Sequence, residues 1–197
     1  YQQIIGVDEV GRGALAGPIV VAAVEIYRPV KGINDSKLIN PNIRRIISEQ
    51  IRKNSQQIAF GQVSNDEIDR LGLSVALTLA YKRCLQSISY DLVLTDAYRL
   101  NQTKYISAQK GDRLFYPVAA ASIMAKIYRD QLMKTYHFAF PMYGWGRNSG
   151  YGTSSHLENI ERSGTSSLHR KSFIKKTRVL KGEQSTLASL TDRLSID

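Results

Sequence analysis

The chain has 197 residues, of which 43% are hydrophobic and 22% are charged, and a net charge of +10 at pH 7. This length and composition predict one ordinary domain with a buried core and exclude a disordered chain. No apolar run could span a bilayer, the N-terminus lacks signal-peptide features, and Cys84 is the only cysteine, so we expect a cytoplasmic protein without an internal disulfide whose basic surface attracts a polyanion.

The N-terminal part of the chain predicts two strands and a helix. Apolar runs rich in β-branched residues predict strands over residues 2–8 and 14–27, joined through the turn Gly11-Arg12-Gly13. Asn40 followed by Pro41 predicts a helix start, because asparagine caps a helix and proline suits its first turn.

The middle of the chain alternates strands with helices. Residues 56–63 predict a third strand, and the capping box Ser64–Glu67 opens a long helix that runs to about Ser87. Two short strands follow, over residues 91–96 and 104–109. This alternation favours an α/β fold with a mixed sheet and helices packed against it.

The C-terminal part predicts two further helices and a polar tail. Residues 117–135 form a largely apolar helix, and Thr153 caps a short helix that Gly164 ends. Because the chain becomes polar and basic past about residue 165, we predict a folded domain over residues 1–165 and a basic C-terminal extension over residues 166–197. The extension is either a solvated tail or a surface that contacts nucleic acid.

Two adjacent acids, Asp8 and Glu9, end the first apolar run directly before the two-glycine turn. Mg²⁺ usually takes one or two carboxylates together with substrate phosphate, and glycines let a backbone approach a ligand closely. The competing interpretation is an exposed pair that opens an ordinary turn. Neighbours in an ideal strand point to opposite faces, so both acids serve one site only if the strand ends or bulges there.

Two more acids stand where chemistry is expected. Asp96 lies at the exit of a strand, the edge at which α/β sheets place their sites, although a turn-forming role would also suit it. Asp130 lies on a largely apolar helix face, where a carboxylate is costly unless it is bound to a metal or paired, here with Lys126 or Arg129. Four acids without a histidine–cysteine cluster favour Mg²⁺ or Mn²⁺ over zinc.

These motifs occur in an order typical of one family. They are VDEVGRG at 7–13, INDSK at 33–37, Asp96, KGD at 110–112, AASIMAKIYRD at 120–130, GYGT at 150–153 with His156, and HRKSF at 169–173. Over about residues 4–173 the chain resembles type 2 ribonucleases H, bacterial ribonuclease HII in particular. It is less similar to the type 3 enzymes, whose glycine turn usually lacks the central arginine.

The resemblance implies an RNase H-like fold, in which α-helices flank a mixed central β-sheet, followed here by the C-terminal extension. It implies a catalytic site of four carboxylates, Asp8, Glu9, Asp96 and Asp130, that holds two divalent cations, Mg²⁺ or Mn²⁺. Such an enzyme hydrolyses the RNA strand of RNA–DNA hybrids and cuts 5′ to ribonucleotides embedded in duplex DNA. The products carry 3′-OH and 5′-phosphate ends, and we expect a monomer that serves DNA replication and repair.

The resemblance also implies substrate contacts. The Gly11-Arg12-Gly13 turn would read the 2′-OH, the group that distinguishes RNA from DNA, mainly through its backbone. Tyr151 would stack on the sugar that follows the ribonucleotide and favour deoxyribose there; without the family match it would be a packed loop aromatic. Backbone phosphates would be contacted by three polar residues, Asn34, Ser36 and Lys37.

Two other classes of function remain as alternatives. One is a nuclease of related fold that acts on DNA alone, such as a junction resolvase, and the Gly-Arg-Gly turn argues against it. The other is a nucleic-acid-binding homologue without catalysis, which the four retained acids make less suitable.

Overall fold

The computed structural model describes residues 2–33, 40–96, 98, 100 and 104–175. In this part of the chain one sheet contains the strands β1 (Ile4–Val10), β2 (Ile19–Ile26), β3 (Ser55–Val63), β4 (Leu92–Asp96) and β5 (Tyr105–Ala108). The helices are α1 (Pro41–Asn54), α2 (Asn65–Leu71), α3 (Leu73–Leu85), α4 (Gly111–Leu114), α5 (Tyr116–Ala139), α6 (Trp145–Asn148) and α7 (Ser154–Ser163). A 3₁₀ turn, Pro141–Tyr143, joins α5 to α6.

The sheet is mixed, with the strand order β3-β2-β1-β4-β5. β1 pairs antiparallel with β2, and β2 pairs antiparallel with β3. On its other side β1 pairs parallel with β4, which pairs parallel with β5. The predicted α/β fold with a mixed sheet is therefore confirmed, and β1, the strand that carries Asp8 and Glu9, lies at its centre.

Helices cover both faces of the sheet. Successive residues of β2 point to opposite faces, and apolar residues on each face pack against helices. On one side Val21 and Ala23 pack with α3, whose Cys84 is a buried apolar contact. On the other side Ala22 and Val24 pack with α5 and α1. Burial on both sides explains why β2 is an uninterrupted apolar run rather than an alternating one.

The helix caps predicted from the sequence are present in the structure. The Asn40 side chain accepts a hydrogen bond from the Asn42 N–H and caps α1, and the Ser64–Glu67 capping box is formed at the start of α2. Thr153 caps α7, which ends before Gly164. Caps depend on residues two or three positions apart, so the sequence is sufficient to predict them.

Two predicted elements were wrong in extent. The strand predicted over residues 14–27 begins only at Ile19, because Gly17 has a φ of +79°. The preceding Leu15 and Ala16 donate their N–H groups to the Gly150 carbonyl instead of joining the sheet. The long helix predicted over 64–87 is divided at Gly72, whose φ of +77° is not helical, so that α2 ends at Leu71 and α3 begins at Leu73.

The chain after α7 packs against the domain as far as it is described. His169 and Arg170 are buried, His169 forms a β-bridge with Ala16, and residues 171–175 are helical. Arg170 therefore does not belong to a solvated tail, although the domain division after residue 165 stays a prediction. Residues 176–197 lie outside the described part of the chain, and within that part no helix is long and apolar enough to cross a membrane.

Candidate active site

A cavity of about 560 Å³ opens at the end of β1. Its lining includes the carboxylates of Asp8, Glu9 and Asp96 and the whole Gly11-Arg12-Gly13 turn. Tyr151 lines the same cavity from the loop that follows α6. One concave site thus gathers acids, a glycine turn and an aromatic residue that lie far apart in the sequence.

The parallel pairing of β1 with β4 brings Asp8 and Asp96 together. Val7 is level with Thr95, so the next residue of each strand is an aspartate, and neighbouring strands lie about 4.8 Å apart. Asp96 is fixed by the Gly111 N–H, which donates to its Oδ1 at 2.9 Å. A side chain at Gly111 would collide with the Thr95 carbonyl, so glycine is required for this contact.

Asp8 is a half-buried carboxylate among other acids. The Glu9 N–H donates to its Oδ1 at 2.8 Å, and the Ser122 side chain of α5 also hydrogen-bonds to it. Burial and then the charge of Glu9 raise the pKa of Asp8 to about 7, and Asp96 adds to this effect, although the Ser122 hydrogen bond opposes it. A carboxylate in this environment suits a cation as its partner.

Glu9 reaches the cavity from the other face of the strand. Its Oε2 accepts a hydrogen bond of 2.6 Å from the Tyr81 hydroxyl of α3, and its Oε1 accepts one of 3.0 Å from Arg12. Asp8 and Glu9 therefore do point to opposite layers, as neighbours in a strand should. Both line one cavity because β1 ends immediately afterwards, at Gly11, whose φ is +93°.

Asp130 forms a salt bridge with Lys126, one of the two partners that the sequence offered for it. Its Oδ1 accepts hydrogen bonds from Lys126 Nζ at 2.7 Å and from Ser149 Oγ at 2.9 Å. Lys126 also lines the cavity, whereas Arg129 is directed elsewhere. Among the described residues no three carboxylate, imidazole or thiol groups are close enough to hold a metal ion by themselves.

Two buried arginines, which we call the guanidinium pair, Arg129 and Arg170, support the glycine turn from behind. Arg129 donates to the carbonyls of Pro18 at 2.8 Å, Ala16 at 3.0 Å and Ser149 at 2.8 Å. Arg170 donates to the carbonyls of Arg12 at 2.9 Å and Gly17 at 3.0 and 2.9 Å. These bonds tie the turn and the loop before Tyr151 to the same two side chains.

The guanidinium pair is held by backbone carbonyls within the described structure, without a carboxylate hydrogen bond. Burial lowers the pKa of Arg129, and it lowers the pKa of Arg170 to about 9, with the charge of Arg129 as the second cause. Arg170, with a pKa of about 9, stays charged at neutral pH. The space where a Cβ of Gly11 would stand is filled by Arg129 and the Pro18 carbonyl, so the turn can take this shape only with glycine.

Tyr151 lies half-buried between Gly150 and Gly152. The Arg129 guanidinium carbon is 5.4 Å from the centre of its ring, a cation–π contact. The ring is therefore supported on one side by a charge inside the protein while it lines the cavity. The three residues predicted to contact phosphates, Asn34, Ser36 and Lys37, lie outside the described residues.

Sequence reasoning missed several residues that shape this site: Ser122, Tyr81, Gly111, Arg129 as a turn support and Arg170. Ser122 could have been found, since Ser122, Lys126 and Asp130 recur every four residues along one face of α5. Arg129 and Arg170 carry no such signal, because their partners lie more than a hundred residues away, apart from Ser149.

Comparison with known proteins gives the family. The model of the family Ribonuclease HII matches residues 5–176. The ribonuclease HII of Chlorobium luteolum is 40% identical over 185 residues, which are 88% of this chain and 89% of the relative. This chain belongs to the ribonuclease HII family. The ribonuclease HII of Clostridium beijerinckii is 41% identical over 186 residues, which are 89% of this chain and 69% of the relative.

Solved structures show the same fold. An Archaeoglobus fulgidus ribonuclease HII, solved in complex with PCNA, has a TM-score of 0.73 at 24% identity and covers 86% of this chain and 94% of its own. The Pyrococcus horikoshii ribonuclease H2 has a TM-score of 0.71 at 23% identity, covering 87% and 93%. Bst-RNase HIII, solved with Mn²⁺, has a TM-score of 0.66 at 22% identity, covering 82% and 63%.

The family membership confirms three predictions. The protein is a type 2 ribonuclease H, its fold is RNase H-like, and it is a hydrolytic endonuclease that acts on the RNA of RNA–DNA hybrids. Neither a nuclease restricted to DNA nor a non-catalytic binding protein is needed to account for the chain.

Proposed function

We propose that this ribonuclease HII also cuts 5′ to single ribonucleotides embedded in duplex DNA, leaving 3′-OH and 5′-phosphate ends. The observation that supports this proposal is the shared cavity of the carboxylates, the Gly-Arg-Gly turn and Tyr151. An enzyme that cuts only within long RNA would have less use for an aromatic residue beside the turn that reads the 2′-OH. The enzyme would act as a monomer in the cytoplasm during DNA replication and repair.

Asp8, Glu9, Asp96 and Asp130 are the residues proposed to hold divalent cations, Mg²⁺ or Mn²⁺. The fit rests on their chemistry, because hard cations prefer oxygen donors and the pKa of Asp8 is raised by burial and then by the charges of Glu9 and Asp96. Once bound, two such cations supply an activated water and stabilise the charge on the leaving 3′ oxygen. The Mn²⁺ complex of Bst-RNase HIII supports this choice of metal.

The residues of the chain would position the substrate around these acids. Gly13 has open space where a side chain would stand, so the sugar of a ribonucleotide can approach the backbone of the turn. Lys126 lines the cavity and donates to Asp130, which itself lies behind that lining, and its ammonium group would add a positive charge near the scissile phosphate. Mg²⁺ sites commonly complete their ligands with substrate phosphate and water.

Cleavage of three matched duplexes tests the proposal. One contains a single ribonucleotide, the second a continuous RNA strand paired with DNA, and the third only DNA. With Mg²⁺ or Mn²⁺ we expect the first to be cut 5′ to the ribonucleotide, the second at several positions and the third not at all, and EDTA should stop both reactions. If the enzyme cleaved the continuous hybrid but left the single-ribonucleotide duplex intact, the proposal would be refuted and the activity of the family would still stand.

The variant Tyr151→Ala tests the proposed stacking. Removing an aromatic that stacks in a nucleic-acid site costs about 1–3 kcal/mol, so we expect kcat/KM for the single ribonucleotide to fall roughly five- to a hundred-fold. Cleavage of the continuous hybrid should fall much less, because there the next sugar carries a 2′-OH. Phe138→Ala is the matched control, since Phe138 is an aromatic residue 85% exposed at the far end of α5. Equal losses on both substrates would mean that Tyr151 only supports its loop.

A further inference from the structure

Behind Tyr151 lies a buried pair of histidines that the proposed chemistry does not use. His156 and His169 are 0% and 1% exposed, and their Nε2 atoms are 3.2 Å apart. The indole of Trp145, also 0% exposed, closes the group with its Nε1 at 3.0 Å from His156 Nε2. Buried polar groups of this kind must all be hydrogen-bonded to be tolerated.

The partners at the ends of this group determine where every proton lies. The Ser166 N–H can only donate, so His169 Nδ1 is an acceptor and the proton of His169 is on Nε2. The Trp145 indole N–H also can only donate, so His156 Nε2 is an acceptor, for Trp145 and His169 alike. The proton of His156 is therefore on Nδ1.

That proton points to the backbone of Tyr151. His156 Nδ1 lies 2.9 Å from the Tyr151 carbonyl, which also accepts the Thr153 N–H at 2.9 Å. Glycines on both sides leave the Tyr151 backbone with wide conformational freedom, so its orientation depends on such anchors. Thr153 anchors it from the adjacent chain, whereas His156 ties it to the buried interior.

We propose that His156 is a positioning residue for Tyr151: its Nδ1–H holds the Tyr151 carbonyl and thereby aims the ring at the sugar that follows a ribonucleotide. The inference rests on the proposed stacking role of Tyr151 and assigns to this ring a specific support. His169 and Trp145 support His156 in turn. Their hydrogen bonds to Nε2 fix the His156 ring in the orientation and tautomer that make Nδ1 the donor.

Two substitutions separate the two nitrogens of His156. Asparagine places an amide N–H near the Nδ1 position and loses the Nε2 acceptor, whereas glutamine reaches the Nε2 position and loses the Nδ1 donor. His156→Asn leaves the Trp145 and His169 donors without an acceptor, so it should be the less stable of the two variants. His156→Gln should be the more stable variant, but the Tyr151 carbonyl loses its anchor to the buried interior and keeps only the Thr153 N–H.

The measured quantity is the ratio of kcat/KM for the single ribonucleotide to kcat/KM for the continuous hybrid, called the junction ratio below. We expect His156→Gln to lower the junction ratio about three- to tenfold, because a displaced ring loses part of what Tyr151→Ala removes. His156→Asn should keep the junction ratio within about twofold while its Tm falls about 3 °C or more below that of His156→Gln. Glu158→Gln, an exposed carboxylate two residues away on α7, is the control.

The double variant Tyr151→Ala/His156→Gln completes the test. If His156 acts through Tyr151, the second substitution should not lower the junction ratio below that of Tyr151→Ala. The positioning role is overturned if the two His156 variants change the ratio alike, if neither changes it, or if His156→Gln lowers it further without Tyr151. A junction ratio unchanged in Tyr151→Ala would overturn the stacking role and this inference with it, whereas a ratio lowered in Tyr151→Ala but not in His156→Gln would overturn this inference alone.

Discussion

Two groups of charges adjoin the Gly-Arg-Gly turn, one of half-buried carboxylates and one of buried guanidinium groups, and their surroundings differ. The carboxylate cluster, Asp8, Glu9 and Asp96, sets acids beside acids, and burial together with the charges of Glu9 and Asp96 raises the pKa of Asp8 to about 7. The guanidinium pair, Arg129 and Arg170, sets like charges together as well, but carbonyl oxygens hold each donor group that contacts the turn. The first group therefore favours a cation as its partner, whereas each nitrogen of the second already donates to a backbone carbonyl.

This difference separates function from stability. A buried acid next to other acids lowers the stability of the folded state, and a bound cation relieves the repulsion. A buried guanidinium that is fully hydrogen-bonded holds loops in place, and removing it leaves carbonyls without donors. We therefore expect substitutions among the carboxylates to reduce activity more than stability, and substitutions of the guanidinium pair to reduce the free energy of unfolding.

The largest effect is expected at Asp8. Asp8→Asn keeps the shape but removes a proposed cation ligand, so cleavage should fall by about three to four orders of magnitude, or roughly 4–5.5 kcal/mol of barrier. Glu158→Gln, which changes an exposed carboxylate of α7, is the control for loss of a negative charge. Activity within about tenfold of that of the wild type would remove Asp8 from the site.

Asp8→Asn should also raise the Tm of the metal-free protein, in a pH-dependent way. The pKa of Asp8 in the folded protein is about 7, above its ordinary value of 3.8, so the wild type loses stability as the pH rises through that window. The gain in Tm should therefore be larger at pH 8 than at pH 5. A gain that is absent at both pH values would indicate that the surrounding hydrogen bonds already offset the buried charge.

The guanidinium pair should respond in the reverse sense. Arg170→Met deprives the Arg12 and Gly17 carbonyls of their donors, and we expect a loss of about 2–4 kcal/mol in the free energy of unfolding. Chemical denaturation measures it, with Lys171→Met as the control because Lys171 is the exposed neighbour. If Arg170→Met were as stable as the control, relief of repulsion with Arg129 would outweigh the lost bonds, and the contrast between the two groups would disappear.

A smaller effect should appear on acidification, through the histidine pair. Burial and then the charge of His156 lower the pKa of His169 from 6.5 to about 4, and burial also lowers the pKa of His156. The unfolded chain therefore takes up protons first, and stability that is full above pH 6.5 is lost as the pH falls toward 4. For His169 alone this loss is about 2 kcal/mol between pH 6.5 and 4.5.

The Asp8→Asn background isolates this histidine effect, since protonation of Asp8 stabilises the wild type over the same range. In that background the unfolding free energy should fall between pH 6.5 and 4.5, and the slope should become shallower when His169→Gln is added. An unchanged slope would show that other groups cause the acid sensitivity. The buried pair would then keep its structural role without acting as a titrating pair.

The features that the sequence determined by itself depend on short distances along the chain. The caps at Asn40, Ser64 and Thr153 and the strand that leads to Asp96 involve neighbours within a few residues. The order of the motifs was enough to give the family and the fold. The identity of the four acids came from the same source, and their roles as cation ligands stay a proposal that the Asp8 variant tests.

The tertiary structure alone decided which partner each buried charge takes. Lys126, one helical turn before Asp130, pairs with it as helix spacing favours, but only the packed structure shows that Arg129 turns to carbonyls 111 and 113 residues away. Arg170, in a run that resembles a basic tail, bonds to carbonyls 153 and 158 residues away. Such pairings arise because a buried donor must find an acceptor in the packed interior, and sequence spacing carries no record of which acceptor lies nearby.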